Sequence, residues 1–68
     1  MIGYVNKKKL LAKMKDEVEF NWNMQKRYSE LAATLKDASA KNRYLDMSLE
    51  YIQRWNESVR IYNMLELM

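Results

Sequence analysis

The fold of this chain is decided by residues 44–62, which read YLDMSLEYIQRWNESVRIY. Large apolar side chains recur here every three or four residues, the spacing that places them on one face of an α-helix. The aromatic edge of this face contains Tyr44, Tyr51, Trp55 and Tyr62, and the aliphatic line beside it contains Leu45, Leu49, Ile52 and Val59. The face is too broad for one neighbouring helix to cover. The stretch therefore predicts an amphipathic helix that packs against more than one partner.

Composition favours an all-α domain that associates with itself. The chain has 68 residues, one Gly, and no Pro, Cys or His. Few turns can be built without Gly and Pro, so a small number of long helices is expected. Small domains usually gain stability from disulfides, a metal ion or oligomerisation, and this chain lacks the residues for a disulfide or a common zinc site. We expect no metal and no cofactor. Self-association is therefore the remaining source of stability.

The segment before residue 44 predicts a first helix over about residues 6–36, with Asn6 as its N-cap and Gly3 outside it. Its apolar residues fall on two adjoining stripes. The main stripe contains Leu10, Met14, Met24, Tyr28, Leu31 and Leu35, and the second contains Leu11, Val18 and Trp22. Asn has a poor helix propensity and can cap a new helix. A break near residues 20–23, giving three helices in all, is therefore an alternative.

A turn is expected at residues 37–39, followed by a second helix over about residues 40–67. Asp37 or Ser39 can cap this second helix, and the apolar phase changes across the segment. The chain would then be a single helical-hairpin domain covering residues 1–68. The turn has no Gly, so one uninterrupted helix of about 60 residues is the alternative.

Two helices joined by so short a turn pack antiparallel, with facing residue numbers that add to about 75. A single hairpin leaves one side of both apolar faces in water. Two hairpins stacked as a four-helix bundle cover both faces, so we expect a homodimer. The alternative is that a different protein supplies the missing helices. The predicted interface residues are Trp22, Tyr44, Tyr51, Ile52, Trp55, Val59 and Tyr62.

Five lysines near the start of the chain form a candidate anion site. They are Lys7, Lys8, Lys9, Lys13 and Lys15, and no acidic residue accompanies them within residues 1–15. Positive charge at a helix N-terminus opposes the helix dipole, so a counter-charge is expected. It could be a nucleic acid, an acidic protein or a membrane surface. It could also be internal, because antiparallel packing brings the end of the second helix, with Glu66, to the same place.

Polar residues interrupt both apolar faces and predict a buried polar layer. Glu17, Asn21 and Gln25 interrupt the first helix and Asn56 the second, at similar heights in the hairpin. Such a layer fixes register and partner orientation in helical assemblies, and a polar pocket is the other interpretation. The dense carboxylate group of Asp16, Glu17 and Glu19 points in several directions on one helix. Without His, Cys or a Gly-rich phosphate loop, catalysis is not expected.

In length and hairpin-dimer plan the chain resembles Rop, a small RNA-binding regulator built as a four-helix bundle. No motif carries the resemblance, so it implies an architecture and does not transfer a function. We expect a cytoplasmic, non-enzymatic regulator or adaptor that binds proteins through its helices, of the kind common among small accessory proteins. The alternative is a Rop-like nucleic-acid-binding regulator that uses the lysine cluster. A third interpretation is binding to an anionic membrane surface through the same lysines. No membrane span is expected, because only three apolar residues separate Lys9 from Lys13.

Overall fold

The computed structural model describes the backbone of residues 4–68 and the side chains from residue 6 onward. Two helices make up this part of the chain: α1, Tyr4–Thr34, and α2, Ala38–Leu67. They pack side by side into a rod with extents of 52 × 13 × 12 Å. The predicted all-α hairpin is confirmed, and the alternative of one uninterrupted helix is wrong because residues 35–37 reverse the chain.

Helix α1 runs without interruption through residues 20–23, so the alternative of three helices is also wrong. Asn21 does not cap a new helix, because its side chain turns instead to Ser58 on α2. The prediction that Asn6 is the N-cap is wrong as well, since α1 already begins at Tyr4 and no residue between them breaks a helix. Gly3, predicted to stand outside the helix, lies outside the described residues.

The turn has the predicted length of three residues but comes two residues earlier, at residues 35–37 instead of 37–39. Asp37 is the N-cap of α2: its backbone is extended, with φ −73° and ψ 121°, and its carboxylate accepts a hydrogen bond of 2.9 Å from the amide of Ala40. Ser39 lies inside the helix. No residue of the described chain has a positive φ, which explains how the chain reverses without a Gly.

The two helices are antiparallel, because Lys7 meets Glu66 at one end and Tyr28 stacks on Tyr44 towards the other. Cross-helix partners have residue numbers that add to about 75, as the turn position predicts. The contact between α1 and α2 buries few hydrophobic side chains. Among the residues whose side chains are described, Ala32 is the one buried hydrophobic residue, and no large side chain is fully buried.

Neither α1 nor α2, over the described residues, contains an apolar stretch long enough to cross a membrane. Both helices instead alternate apolar and charged positions along their whole length. The hairpin therefore presents two long faces, one on each side of the seam where α1 and α2 meet, and these faces are the candidate functional surfaces.

Candidate interaction surfaces

The seam between the helices is lined by small and polar residues. Asn21 and Ser58 are 5 % and 3 % exposed, and the Asn21 amide donates a hydrogen bond of 3.4 Å to the Ser58 hydroxyl. The Ser58 hydroxyl in turn donates to the carbonyl of Trp55 at 2.9 Å. Ser48, also buried, donates to the carbonyl of Gln25 at 3.0 Å. These side chains let the two backbones approach closely, so the large apolar residues are displaced to either side of the seam.

The residues of the predicted polar layer do not share one environment in the hairpin. Asn21 is buried and paired across the seam, whereas Glu17 and Asn56 are exposed. The partner of Asn21 is Ser58, a residue that periodicity did not single out. A signal was nevertheless present, because a small residue within a broad apolar face marks a place where helices can come close.

One side of the seam carries a ladder of stacked rings. Tyr28 stacks on Tyr44 at 5.9 Å between ring centroids and on Tyr51 at 5.8 Å. Phe20 meets the Tyr51 ring edge-on at 6.3 Å, and the guanidinium of Arg54 lies 5.2 Å from its centroid. Rings at these distances attract each other through complementary quadrupoles, and a cation over a ring adds to this. We call this side the tyrosine face: Phe20, Tyr28, Tyr44, Tyr51 and Arg54.

The other side of the seam is built around two tryptophans. Trp22 and Trp55 lie 5.0 Å apart between ring centroids at an angle of 49°. On α2, residues 45, 52 and 59 follow at steps of seven and therefore lie beside Trp55 on the same side of the helix. On α1, Val18 lines one shallow groove with the two tryptophans and a second with Tyr62. We call this side the tryptophan face: Val18, Trp22, Leu45, Ile52, Trp55, Val59 and Tyr62.

The predicted interface residues divide between the two faces. Five of them belong to the tryptophan face: Trp22, Trp55 and Tyr62 line its grooves. Ile52 and Val59 lie on the same side of α2 by their helical spacing. The other two, Tyr44 and Tyr51, stack on Tyr28 on the tyrosine face. Large apolar residues remain exposed on both: Trp22 is 46 % and Leu45 39 % exposed on the first, and Phe20 is 56 % exposed on the second.

The two faces differ in charge. The grooves of the tyrosine face are bordered by five charged residues: Glu17, Arg27, Arg43, Arg54 and Glu57. The central groove of the tryptophan face is bordered by one, Glu19, and its extension towards the open end of the hairpin by Lys15. A surface that buries few charges costs less to desolvate when a partner covers it. The tryptophan face is therefore the more suitable of the two for a dry interface.

The lysine cluster lies at the open end of the hairpin, opposite the turn. The Lys7 ammonium donates a hydrogen bond of 3.4 Å to the backbone carbonyl of Glu66, so part of its counter-charge is the C-terminal end of α2. Lys8, Lys9, Lys13 and Lys15 are exposed. Because successive helical residues point about 100° apart, the five lysines surround α1 and do not form one stripe.

The Glu57 carboxyl and the Tyr62 phenol, in the half of α2 nearer the open end, have displaced pKa values. Arg60 lowers the pKa of the Glu57 carboxyl, mainly by donating hydrogen bonds to it and also by its charge. The contribution of this pair to stability is present above the ordinary pKa of Glu and is lost as the pH falls through the lowered value, but it is small because both groups are exposed. Hydrogen bonding to Glu66 raises the pKa of the Tyr62 phenol, because it favours the protonated form.

Within the described residues, no three His, Cys, Asp or Glu side chains come close enough together to hold a metal ion. The grooves on both faces are open to solvent, and each exposes more apolar than polar surface. No protein-family model matches this chain, and neither the curated proteins nor the solved structures give a significant match. The two faces and the charged end are therefore the candidate functional features of the chain.

Proposed function

We propose that this protein is a small non-enzymatic adaptor or regulator that works as a homodimer and binds other proteins through its helices. Dimerisation would stack two hairpins into a four-helix bundle and cover one long face of each. The remaining face of each copy would then be available to a partner protein. A symmetric dimer presents that face twice, which suits a protein whose role is to bring partners together.

The observation that supports this proposal is the near absence of a core. Ala32 is the one buried hydrophobic residue among the described side chains. The accessible surface of the chain is 5557 Å², whereas a compact monomer of 8.3 kDa is expected to have about 4,600 Å². The hairpin thus exposes roughly 1,000 Å² beyond that of a compact fold. An interface of ordinary size covers about 800 Å² on each partner, so the excess is of the size that one interface removes.

The non-enzymatic part of the proposal rests on the chemistry of the side chains. The sequence contains no His and no Cys, so it lacks the residues that most often act as base or as nucleophile near neutral pH. The grooves of the tyrosine face are bordered by arginines and carboxylates that project from exposed positions. Such groups are suited to recognition of a charged partner.

Light scattering coupled to size exclusion tests the dimer, and affinity capture with and without nuclease treatment tests the partner. We expect a mass twice 8.3 kDa and the capture of the same protein in both samples. A monomeric mass at the highest soluble concentration would contradict the proposal. Loss of every captured protein after nuclease treatment would favour a nucleic-acid function instead.

The second candidate function is binding of nucleic acid by the lysine cluster. It is supported by the four lysines that stay exposed beside Lys7. Phosphate contacts release counterions, so the logarithm of the affinity would fall linearly with the logarithm of the salt concentration, with a slope close to the number of contacts. The test is a salt titration of the wild type and of a variant in which Lys8, Lys9, Lys13 and Lys15 are replaced by Gln, with Lys7 kept because it bonds α2. Binding that is equal in both proteins would exclude this candidate.

A further inference from the structure

We infer that the second copy docks on the tryptophan face, with its turn at the opposite end of the bundle, so that α1 lies against α1 and α2 against α2. This inference rests on the proposed function, because it takes the homodimer as given and assigns its interface and orientation. The interface would centre on Trp22 and Trp55 of both copies, and the tyrosine face would remain uncovered. Three observations lead to it: charge along the two faces, the size of one face, and the location of the lysine cluster.

The distribution of charge selects the tryptophan face. Residues 45, 52 and 59, which run along it at steps of seven, are Leu, Ile and Val. Two charged residues, Glu19 and Lys15, border its two grooves, against five along the two grooves of the tyrosine face. A copy docked on the tyrosine face would have to remove Arg27, Arg43 and Arg54 from water together with two carboxylates. Burying charges in this way costs more than it returns unless every group is paired.

The size of the hairpin requires that the whole face be used. A rod face of 52 × 13 Å projects roughly 700 Å², and a stable interface covers about 800 Å² per partner once the corrugation of the side chains is counted. Contact over half of the length would leave too little area for a stable dimer. The two copies must therefore lie alongside each other over their full length, which leaves two arrangements with two-fold symmetry: turns at the same end or turns at opposite ends.

The lysine cluster decides between these two arrangements. Residues 6–15 carry five lysines and no acid, whereas residues 30–46 around the turn carry three acidic and three basic groups. Turns at the same end would place both lysine clusters at one end of the bundle on diagonally opposite helices, about 14 Å apart, which is less than two Debye lengths of about 8 Å in physiological salt. Turns at opposite ends place the clusters nearly the full 52 Å apart, where salt screens their repulsion almost completely.

One electrostatic attraction favours the arrangement with the turns at the same end, but it is weaker than the repulsion between the lysine clusters. With the turns at the same end, α1 would lie against the partner's α2, and Glu66 of each copy would approach the other copy's lysines. Residues 57–68 contribute only Glu57, Arg60 and Glu66, a net charge of −1, against five lysines on α1. Glu57 is already paired with Arg60 in its own helix. The open ends therefore remain strongly positive and repel each other.

The arrangement with the turns at opposite ends also brings the tryptophans of the two copies together. Trp22 and Trp55 lie near the middle of α1 and α2, so a two-fold axis at mid-length brings the tryptophan pair of one copy against that of the other. Large aromatic side chains at the centre of an interface, shielded by surrounding contacts, contribute most of the binding energy in many complexes. Trp22 is 46 % exposed in the single hairpin, and this contact would cover its exposed surface.

Pulsed electron–electron double resonance on spin-labelled protein tests the relative orientation of the two copies. The chain has no cysteine, so Lys36→Cys at the turn and Gln53→Cys at mid-length each give one label per copy, both at exposed positions. We expect a distance close to the 52 Å length of the rod for Lys36→Cys, and a distance within about 30 Å, the width of a labelled four-helix bundle, for Gln53→Cys. A short distance at both sites would overturn the orientation. Dilution with unlabelled protein should remove both signals, which shows that they arise between copies.

A matched pair of variants tests the face. Leu45 on the tryptophan face and Leu31 beside the tyrosine ladder are 39 % and 41 % exposed and lie at similar distances from the turn. We expect Leu45→Glu to raise the dimer dissociation constant at least about tenfold and Leu31→Glu to change it by less than about twofold, because only the first buries a charge in the interface. Any other pattern, including equal loss in both variants, would overturn the assignment of the face.

Failure of the proposed homodimer and failure of the inferred arrangement give different results. A monomeric wild-type chain would refute the proposed homodimer itself, before any question of orientation arises. A wild-type dimer with a short Lys36→Cys distance, or with Leu31→Glu as the disruptive variant, would leave the homodimer in place and refute only the arrangement inferred for it.

Discussion

At the scale of single residues, Ser58 shows why the seam needs small side chains. It is 3 % exposed and lies between α1 and α2 with Asn21 against it. We predict that Ser58→Leu destabilises the protein by about 1–3 kcal/mol, because the larger side chain would force the helices apart. Ser58→Ala, which keeps the volume small, should cost no more than about 1 kcal/mol for the lost hydrogen bond. Urea unfolding of both variants at one protein concentration measures the difference, and equal costs would show that the seam tolerates bulk.

The apolar periodicity of the sequence predicts burial at Asn21 but does not single out Ser58. The break in the apolar stripe at Asn21 predicts a buried polar group, and Asn21 is indeed buried. Glu17 and Asn56, predicted to share its polar layer, are exposed in the hairpin. The reason is that the choice between the seam and the outer face depends on the rotation of each helix about its axis. That rotation is set by where small residues allow close approach, and apolar spacing alone does not define it.

At the scale of secondary structure elements, the start of α2 depends on one carboxylate. Asp37 caps the helix by accepting the Ala40 amide at 2.9 Å, in a turn that has no Gly. We predict that Asp37→Ala lowers the free energy of unfolding by about 1 kcal/mol, within the usual range of about 0.5–2 kcal/mol for loss of an N-cap. Ser39→Ala is the matched control, because Ser39 is exposed inside the helix, and it should change stability by less than about 0.5 kcal/mol. A larger effect at Ser39 than at Asp37 would contradict the assignment of the cap in solution.

The sequence predicts both helices, but it predicts their first and last residues only in part. The periodic apolar residues and the absence of Pro predict two long helices, and Asp37 was one of two candidates for the cap. Helix α1 ends at Thr34, two residues before the predicted end at residue 36. Its last turn closes locally instead: the Thr34 hydroxyl donates to the Leu31 carbonyl at 2.7 Å, and the Leu35 amide donates to the Ala32 carbonyl at 3.2 Å. Such local bonds at helix ends follow no apolar pattern, so periodicity does not reveal them.

At the scale of the whole molecule, the exposed surface sets how the protein should respond to dilution. The excess of roughly 1,000 Å² over a compact fold, if about 60 % of it is apolar, corresponds to a burial free energy of about 15 kcal/mol at about 25 cal/mol per Å². This is comparable to the whole stability of a small domain, about 5–15 kcal/mol. A single hairpin that forgoes this amount should not hold its helices firmly, whereas a bundle of two should.

We therefore predict that folding and association occur together. Helicity followed by circular dichroism should fall over about a thousandfold dilution, and the melting temperature should rise with protein concentration, because mass action favours the dimer. Leu45→Glu should show the same loss of helicity at a higher concentration than the wild type, since it weakens the contact without changing the seam. Asp37→Ala is the control: it should lower the melting temperature by a similar amount at every concentration. A chain that stays fully helical and monomeric at the lowest concentration, with its tryptophan fluorescence already that of buried rings, would show that one hairpin suffices and would remove the physical basis for the bundle.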